Sequence, residues 1–329
     1  MGNTTQEQID RVIREMEIKY GSGKKTNSAY LDETFKATPN NVGSLGSFEH
    51  VEDAIYAAKQ SQKQLMKLSM AKRKQIITSM RKASLDNAEK LAIMAHEETG
   101  FGRVADKIIK NVLAAEKTPG TEDLESKAYT GDDGMTLIER APFGVIGSIT
   151  PSTNPSSTII NNSISMVAAG NGVVYNPHPY AKKVCLETIA ILNKAISEVG
   201  GPSELLTAPI NPTMASSSII MKHKDIRMLA VTGGEAVVEI AMKSGKKCIA
   251  AGPGNPPVIV DETADIKKAA KDIVNGSSFD NNILCIAEKE AFVVNSVFND
   301  LRSEMVRQGA YELKRHEIES VTNEVFTKN

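Results

Sequence analysis

The 329-residue chain has no tryptophan, and aromatic side chains make up only 5% of it. Its 39 basic and 40 acidic residues leave a net charge of −1, so it has no basic field for a nucleic-acid backbone and few rings to stack on bases. No apolar run is long enough to span a membrane, and residues 1–8 lack the basic and apolar regions of a secretory signal. These absences argue against nucleic-acid-binding and membrane proteins.

Cysteine is also scarce. Cys185, Cys248 and Cys285 are far apart, and no two of them form a CxxC pair. This spacing argues against a metal site and against a disulfide framework. A chain with isolated thiols is typical of a reducing compartment, so we expect a cytoplasmic protein. Cys185 and Cys248 are best interpreted as packing residues, because one lies on a predicted helix and the other in a predicted strand.

What is present fits a globular protein with room for two domains, since 41% of residues are hydrophobic and 24% are charged. From about Phe143 onward the pattern of strand, loop and helix repeats along the chain. This alternation predicts an α/β fold with a mostly parallel sheet and helices on both faces. Ligands of such sheets bind at the carboxyl ends of the strands.

Three stretches before Phe143 have a different character. Residues 1–20 have apolar side chains at helical spacing, and residues 21–47 form a polar, glycine-containing linker. The helix of residues 1–20 has two interpretations: it docks onto a partner, or it folds back on its own domain. Residues 120–141 are rich in turn formers around Gly131–Gly134 and predict a hairpin or arm outside the core.

Cys285 follows an acidic, amide-rich turn, Ser278–Leu284, and precedes a predicted strand. A thiolate is a strong nucleophile toward carbonyl carbon, and its surroundings set how much of it exists near neutral pH. Most lone cysteines, however, are small buried hydrophobic residues. The segment alone leaves both interpretations of Cys285 open.

Four loops at strand ends are candidates for a nucleotide site. Residues 150–155 and 231–235 each lead into a helix, where unsatisfied backbone N–H groups attract phosphate. Residues 176–179 form a stiff turn, in which His178 lies between two prolines. Residues 250–257 are dense in glycine and proline and fit either a hinge or part of a binding site. Singly, each loop could be a structural turn, and because the GxGxxG fingerprint is missing an ordinary Rossmann assignment fails.

The order of these segments is familiar. They read TPSTNP (residues 150–155), NPHP (176–179), VTGGEAVVE (231–239), AAGPGNPP (250–257) and SFDNNILC (278–285). This series closely resembles the CoA-acylating aldehyde dehydrogenases, and within them the propionaldehyde and acetaldehyde enzymes of bacterial microcompartments. The resemblance runs from about Phe48 to the end of the chain. It implies a Rossmann-type NAD-binding domain over residues 48–254 and, over residues 255–329, the first part of a second α/β catalytic domain that stays incomplete here.

The resemblance also implies a reaction. Cys285 attacks a short-chain aldehyde, hydride passes to NAD, and the thioester left on the cysteine is transferred to coenzyme A. A developing oxyanion needs a hydrogen-bond donor. Asn154 is the candidate for that role, together with the backbone N–H of Cys285.

Cofactor contacts are implied for the residues that match the family's loops. These are Thr150, Pro151, Ser152, Asn176, Pro177, His178, Thr232, Gly233, Gly234, Ala251 and Gly252. Two of them depart from the hydrolytic relatives. Asn176 replaces a lysine, which fits a cofactor that must leave before coenzyme A enters. Ala251 replaces the glutamate that activates water, so acyl transfer to coenzyme A is favoured over release of a free acid.

The resemblance favours partner docking for residues 1–20, which look like an encapsulation peptide, and so predicts a location inside a bacterial microcompartment. The expected partners are the aldehyde, coenzyme A and a shell or core protein, and the family forms homo-oligomers. Two alternatives stay open. One is a different reductase of the same superfamily, and the other is a truncated, inactive chain that acts through its N-terminal helix.

Overall fold

A computed structural model describes residues 45–326, which form a parallel sheet between helices, a hairpin arm and a second, smaller α/β unit. The strands are β1 (Ser47–Phe48), β2 (Lys127–Gly131), β3 (Gly134–Ile138), β4 (Val145–Thr150), β5 (Gly172–Pro177), β6 (Leu206–Pro209), β7 (Ile226–Thr232), β8 (Lys247–Ala251), β9 (Pro257–Val260) and β10 (Glu290–Val293). The helices are α1 (Val51–Leu65), α2 (Met70–Asp86), α3 (Ala88–Thr99), α4 (Val104–Lys117), α5 (Pro155–Ala168), α6 (Lys182–Glu198), α7 (Met214–Lys222), α8 (Glu235–Met242), α9 (Ile266–Ser278), α10 (Phe298–Arg307) and α11 (Arg315–Phe326).

The main sheet has six strands in the order β1-β6-β5-β4-β7-β8, and all neighbouring pairs are parallel. The central strands β4 and β5 are buried along their whole length. Parallel strands covered on both faces carry continuous apolar runs, which is the pattern of this part of the sequence. The predicted α/β fold with a parallel sheet is confirmed.

Side chains that alternate along β5 fill two cores, one on each face of the sheet. Val173 and Tyr175 pack into one apolar cluster with residues of α2, α3, α5 and α6. Val174, between them, belongs to the opposite cluster, built from α1, α7 and the strands. This alternation follows from the two-residue period of a strand. The Tyr175 hydroxyl is buried within hydrogen-bond distance, 2.7 Å, of the Ser163 hydroxyl.

The second unit pairs β9 with β10 in parallel and packs α9 and α10 against them. Its core is small, with Val260, Ala270, Ile273 and Leu301 buried. Asp265 begins α9 by accepting a hydrogen bond from the backbone N–H of Lys268 at 3.1 Å. The turn Ser278–Leu284 and Cys285, together called the cysteine turn, run from the last residue of α9 toward β10. This unit therefore holds one side of the candidate site.

The predicted arm is an antiparallel hairpin of β2 and β3, exposed at every residue. Within residues 45–326, none of the helices combines the length and apolar character needed to cross a bilayer. Cys185 is fully buried, as predicted for a packing residue, and Cys248 is half-buried beside the second cluster.

Three elements differ from the sequence prediction. The apolar spacing of residues 48–68 predicts a helix that begins at Phe48. Phe48 instead lies in β1, 1% exposed, because the edge of the sheet offers a parallel partner in β6. Helix α7 was not predicted, since its serine-rich start has little apolar periodicity; Thr213 and Ser216 form its capping box. The polar sequence of residues 311–329 predicts no closing element, but helix α11 lies there, and no residue of it is buried.

The predicted helix of residues 1–20 lies outside the described residues, as does the linker up to residue 44. The domain boundaries after residues 47 and 254 stay predictions.

Candidate active site

The predicted cofactor loops meet at one edge of the main sheet. Thr150 at the end of β4 is in register with Pro177 of β5, and Thr232 at the end of β7 is in register with Ala251 of β8. Strands β4 and β7 are neighbours, so the four ends are adjacent. The other predicted cofactor residues adjoin them in the same loops: Pro151, Ser152, His178, Gly233, Gly234 and Gly252.

The turn between β7 and α8 leaves space for a ligand to approach the backbone. A Cβ atom added at Gly234 would meet nothing within 4 Å, and one at Gly233 would lie no closer than 3.9 Å to Val237. The turn precedes the N-terminus of α8, where backbone N–H groups favour anions. An open, glycine-lined turn at the carboxyl edge of a parallel sheet fits the diphosphate of a dinucleotide.

Asn176 occupies a buried position near the end of β5. Its Oδ1 atom accepts a 2.6 Å hydrogen bond from the Ser216 hydroxyl, and its Nδ2 atom donates to the Thr213 carbonyl oxygen at 3.3 Å. The carboxamide therefore ties β5 to the start of α7. His178, by contrast, is exposed, and its Nδ1 atom accepts from the backbone N–H of Tyr180 at 3.2 Å. The proposed cofactor roles of both residues stay predictions.

The turn before Cys285 has an unusual backbone. Three consecutive residues, Asp280, Asn281 and Asn282, have positive φ angles of 48°, 56° and 59°. Left-handed conformations cost about 1–3 kcal/mol for a residue with a side chain and persist where the surroundings enforce them. Asparagine and aspartate tolerate this region better than other residues, which explains their presence here.

Asp280 holds the turn through buried ionic contacts. It is fully buried, and its Oδ2 atom contacts the ammonium groups of Lys107, at 3.3 Å, and Lys110. Its Oδ1 atom accepts from the backbone N–H of Arg103 at 2.7 Å, at the N-terminus of α4. Its own N–H donates to Asp106, which also pairs with the Arg103 side chain. The ionised form of Asp280 is thus fully partnered.

These contacts change how two of the groups titrate. Burial alone would raise the pKa of Asp280, but the hydrogen bonds from Lys110 and Arg103 and the charges of Lys110 and Lys107 outweigh it and lower the pKa. Burial lowers the pKa of Lys110, and Asp280 partly opposes that shift. Asp280 is therefore a carboxylate throughout the physiological range.

Lys110 has a second partner in a cofactor loop. Its Nζ atom donates to Oδ1 of Asn154 at 2.7 Å, and the Nδ2 atom of Asn154 donates to the Thr153 hydroxyl at 3.2 Å. Asn154 precedes α5 with a non-helical backbone, and Pro155 begins the helix. One ammonium group therefore contacts both the predicted oxyanion donor and the turn that carries Cys285.

Asn282 and Lys289 fix the chain around the cysteine. The Asn282 Nδ2 atom donates to the carbonyl oxygens of Ser277, at 2.6 Å, and Glu288, at 3.1 Å. The Lys289 ammonium donates to the side-chain and carbonyl oxygens of Asn282 and to the Leu284 carbonyl oxygen. These bonds close residues 277–289 into a loop with Cys285 near its tip.

The glycine-proline loop that follows β8 lies directly against that tip. A Cβ atom at Gly254 would be 1.9 Å from the carbonyl oxygen of Cys285, so only glycine fits there. The Lys289 N–H donates to the Pro256 carbonyl oxygen at 3.2 Å, which adds a second contact between the two loops. Cys285 itself is half-buried. The structure thus brings the cysteine to the segment that begins with Ala251.

Sequence reasoning missed the buried ionic residues, because α4 turns a polar face inward. Lys107 and Lys110 are 2% and 7% exposed, whereas Ile109 and Leu113 on the same helix are 54% and 56% exposed. An apolar-inward rule predicts the opposite orientation. The signal in the sequence was the pair of lysines at 107 and 110, three residues apart on α4. Charges at this spacing usually indicate a solvated helix face rather than a buried one.

Residues 34–316 match the aldehyde dehydrogenase family, and the chain belongs to that family. Over 322 residues it is 47% identical to the acetaldehyde dehydrogenase (acetylating) of Bilophila wadsworthia, in an alignment that covers 98% of this chain and 66% of the relative. The chain therefore spans slightly less than two thirds of that relative's length. The resemblance to CoA-acylating aldehyde dehydrogenases is confirmed.

Solved structures give the same fold. A propionaldehyde dehydrogenase from the fucose utilisation microcompartment of Clostridium phytofermentans superposes with a TM-score of 0.83 at 51% identity, covering 86% of this chain and 66% of that one. A propionaldehyde dehydrogenase of Rhodopseudomonas palustris, solved with bound CoA and an acylated cysteine, has a TM-score of 0.81 at 46% identity, covering 86% and 65%.

Proposed function

We propose that this chain takes part in the oxidation of propanal or ethanal to the acyl-CoA, with NAD as oxidant. It supplies the nucleophile, Cys285, and the edge of the main sheet that binds NAD. The observation that carries the proposal is the contact between Gly254 and the Cys285 backbone. It puts a half-buried thiol beside the carboxyl end of β8, next to the loops that fit a dinucleotide. The bound CoA and acylated cysteine of the Rhodopseudomonas palustris relative support the same chemistry.

In the proposed reaction the Cys285 thiolate forms a C–S bond to the aldehyde carbon, and the carbonyl π electrons move to oxygen. NAD, held by the loops at the carboxyl ends of β4, β5, β7 and β8, would supply the hydride acceptor. Loss of hydride from the carbon bonded to Cys285 would then reform the C=O bond as a thioester on that cysteine. The thiolate of coenzyme A then attacks the thioester, and the Cys285 thiolate leaves. Aldehyde, NAD and CoA thus give acyl-CoA, NADH and one proton.

Asn154 is proposed to stabilise the oxyanion of both addition steps, together with the backbone N–H of Cys285. A donor aimed at a developing oxyanion is worth about 10²–10³ in rate. Asn154 lies at the start of α5, at the edge where β4 ends, and Lys110 links it to the cysteine turn. Its position therefore suits a donor near the thiol.

Ala251 is proposed to protect the thioester from water. It ends β8, its side chain is an exposed methyl group, and its carbonyl oxygen accepts from the backbone N–H of Gly233 at 3.1 Å. A methyl group cannot take a proton from water, so the thioester waits for a thiol. This position decides between acyl transfer and hydrolysis.

The test is NADH formation by the full chain with propanal, NAD and CoA, alongside two cysteine variants. Cys285→Ser should abolish NADH formation, because a serine hydroxyl is a far weaker nucleophile than a thiolate. Cys248→Ser is the matched control, since Cys248 is half-buried in β8 and should tolerate the exchange. Activity that survives in Cys285→Ser would rule out the covalent route.

We further propose that residues 1–20 dock the protein onto a shell or core partner of a microcompartment. The amphipathic pattern of this segment supports the proposal, as does the microcompartment origin of the Clostridium phytofermentans relative. Deletion of residues 1–20 should abolish co-assembly with the shell and leave turnover unchanged. Equal loss of both would show that the segment is part of the enzyme fold.

A further inference from the structure

The contacts of Lys110 have a consequence beyond stability. We propose that Lys110 is a positioning residue that aims the Asn154 carboxamide and holds it in a fixed relation to the cysteine turn. The inference rests on the oxyanion role proposed for Asn154. Lys110 lies on α4, Asn154 precedes α5 and Asp280 follows α9, so a single side chain joins three separate segments.

The polarity of the contact fixes the orientation of the amide. An ammonium group has donors and no acceptor, so it must face the Oδ1 atom of Asn154. A flipped carboxamide would turn its own N–H groups toward that charge. Among residues 45–326, the Nδ2 atom contacts only the Thr153 hydroxyl, which uses one of its two hydrogens. The other hydrogen is available to an oxyanion.

The charge balance of the cluster supports the same role. Arg103, Lys107 and Lys110 bring three cations, and Asp106 and Asp280 bring two carboxylates. Asp106 pairs with Arg103, and the two lysines share Asp280. Arg103 is exposed, but Lys107, Lys110 and Asp280 are buried, so one positive charge is left over among buried side chains, where charges act more strongly than in water. Such a field favours an anion that forms near Asn154.

Lys107 provides the matched control. It lies one turn before Lys110 on α4, is similarly buried and contacts the same Asp280 oxygen. Within residues 45–326 it donates no hydrogen bond to Asn154, whose Oδ1 atom accepts from Lys110. Lys107→Met and Lys110→Met each remove one ammonium group from Asp280. Only Lys110→Met also releases the carboxamide. The difference between the two variants therefore isolates the contact with Asn154.

Three readouts on the full chain separate the possible causes. Alkylation of Cys285 by iodoacetamide reports the thiolate without an oxyanion. The nitrophenolate burst from 4-nitrophenyl acetate reports formation of the acyl-cysteine through an oxyanion, without hydride transfer. NADH formation from propanal with NAD and CoA reports the whole reaction. Each is measured for the unmodified chain, both methionine variants, Asn154→Ala and the Lys110→Met/Asn154→Ala pair.

We expect Lys110→Met to slow the burst at least about tenfold, because a misaimed donor loses part of the 10²–10³ that an oxyanion donor contributes. Lys107→Met should slow it less than about threefold, and alkylation should change little in either variant. The double variant should be no slower than Asn154→Ala, since Lys110 acts through the amide. KM for propanal should stay constant while kcat falls.

These readouts distinguish failure of the positioning role from failure of the proposed function. If the burst depends on Lys110 but the chain forms no NADH, the proposed dehydrogenase function is wrong and the positioning role of Lys110 is retained. Equal losses in the two methionine variants, multiplied losses in the double variant, or no burst from the unmodified chain would overturn the positioning role. If Lys110→Met does not fold, Lys110→Arg replaces it, because arginine keeps the ion pair with Asp280 but moves the donor. Lys110→Arg should slow the burst without lowering the melting temperature. An unchanged burst in this variant would overturn the positioning role.

Discussion

The carbonyl oxygen of Cys285 lies where a Cβ atom of Gly254 would be, with only 1.9 Å between the two positions. Both groups are backbone or fixed to it, so neither can rotate away. The close approach sets the position of the cysteine loop against the loop that follows β8. A residue larger than glycine must push the two loops apart.

We therefore expect Gly254→Ala to lower the rate of NADH formation with propanal and CoA by about tenfold or more, because displacement of a reacting group by an ångström can cost as much as 10². Gly131→Ala is the control, since a Cβ atom there meets nothing within 4 Å and the residue lies in the arm. A Gly254→Ala chain with full activity would show that this contact does not position the thiol.

Removal of the Asp280 carboxylate should destabilise the fold strongly. Asp280→Ala leaves Lys107 and Lys110 buried without their partner, which typically costs about 3–5 kcal/mol. The free energy of unfolding in urea measures this loss. Asp272→Ala is the control, because its exposed pair with Lys268 contributes little, and the change should stay below about 1 kcal/mol. Losses of equal size would contradict the assigned role of the cluster.

The contribution of Asp280 to the free energy of unfolding should also depend on pH. The pKa of Asp280 is lower in the folded chain than in the unfolded one, so its contribution is present above the unfolded value, about 3.9, and is lost as pH falls through the folded value. The difference in unfolding free energy between the unmodified chain and Asp280→Ala should accordingly shrink below about pH 4. A difference that does not change with pH would mean that Asp280 is not ionised in the fold.

Glu204 should make stability depend on pH in the opposite direction. Burial raises its pKa from 4.5 to about 7, and the backbone N–H of Gly46 partly opposes the shift. The folded chain therefore binds the proton more tightly than the unfolded chain. This contribution is complete below about pH 4.5 and is lost as pH rises through 7. Glu204→Gln, which cannot titrate, should lack that decline.

Unfolding free energies measured in steps from pH 4.5 to 7.5 test this effect of Glu204. Glu262→Gln, at an exposed position, is the control and should follow the unmodified chain. Parallel curves for Glu204→Gln and the unmodified chain would contradict a raised pKa in the fold.

The sequence predicted the parallel sheet and the placement of four loops at its strand ends, because buried parallel strands and glycine-rich turns have local signals. Val173–Tyr175 and Gly233–Gly234 are examples of each. The buried ion cluster has no local signal of that kind. Lys107 is indistinguishable from a solvated lysine until Asp280, 173 residues later, is placed beside it. Tertiary charge pairing of this sort overrides the helical pattern of α4.

Backbone geometry explains another part of what sequence reasoning could not find. The string Asp280–Asn282 indicates a turn, but its three successive left-handed residues depend on tertiary contacts that the string does not show. Asp280 is held by buried charges, and Asn282 donates to the carbonyl oxygens of Ser277 and Glu288. Gly254 was recognised as part of a rigid loop, whereas its contact with Cys285 depends on how two loops from separate units meet. The role proposed for Cys285 rests on the order of five motifs in the sequence rather than on the residues next to it.

The last prediction concerns what the thioester on Cys285 reacts with. Ala251→Glu places a carboxylate at the end of β8, where it can activate water, so the ratio of free acid to acyl-CoA should rise. Ala251→Gln has the same shape without a base and should leave the ratio near that of the unmodified chain. Products from propanal, NAD and CoA, separated by chromatography, give the ratio directly. If the glutamate and glutamine variants give the same ratio, the identity of residue 251 does not decide between water and coenzyme A.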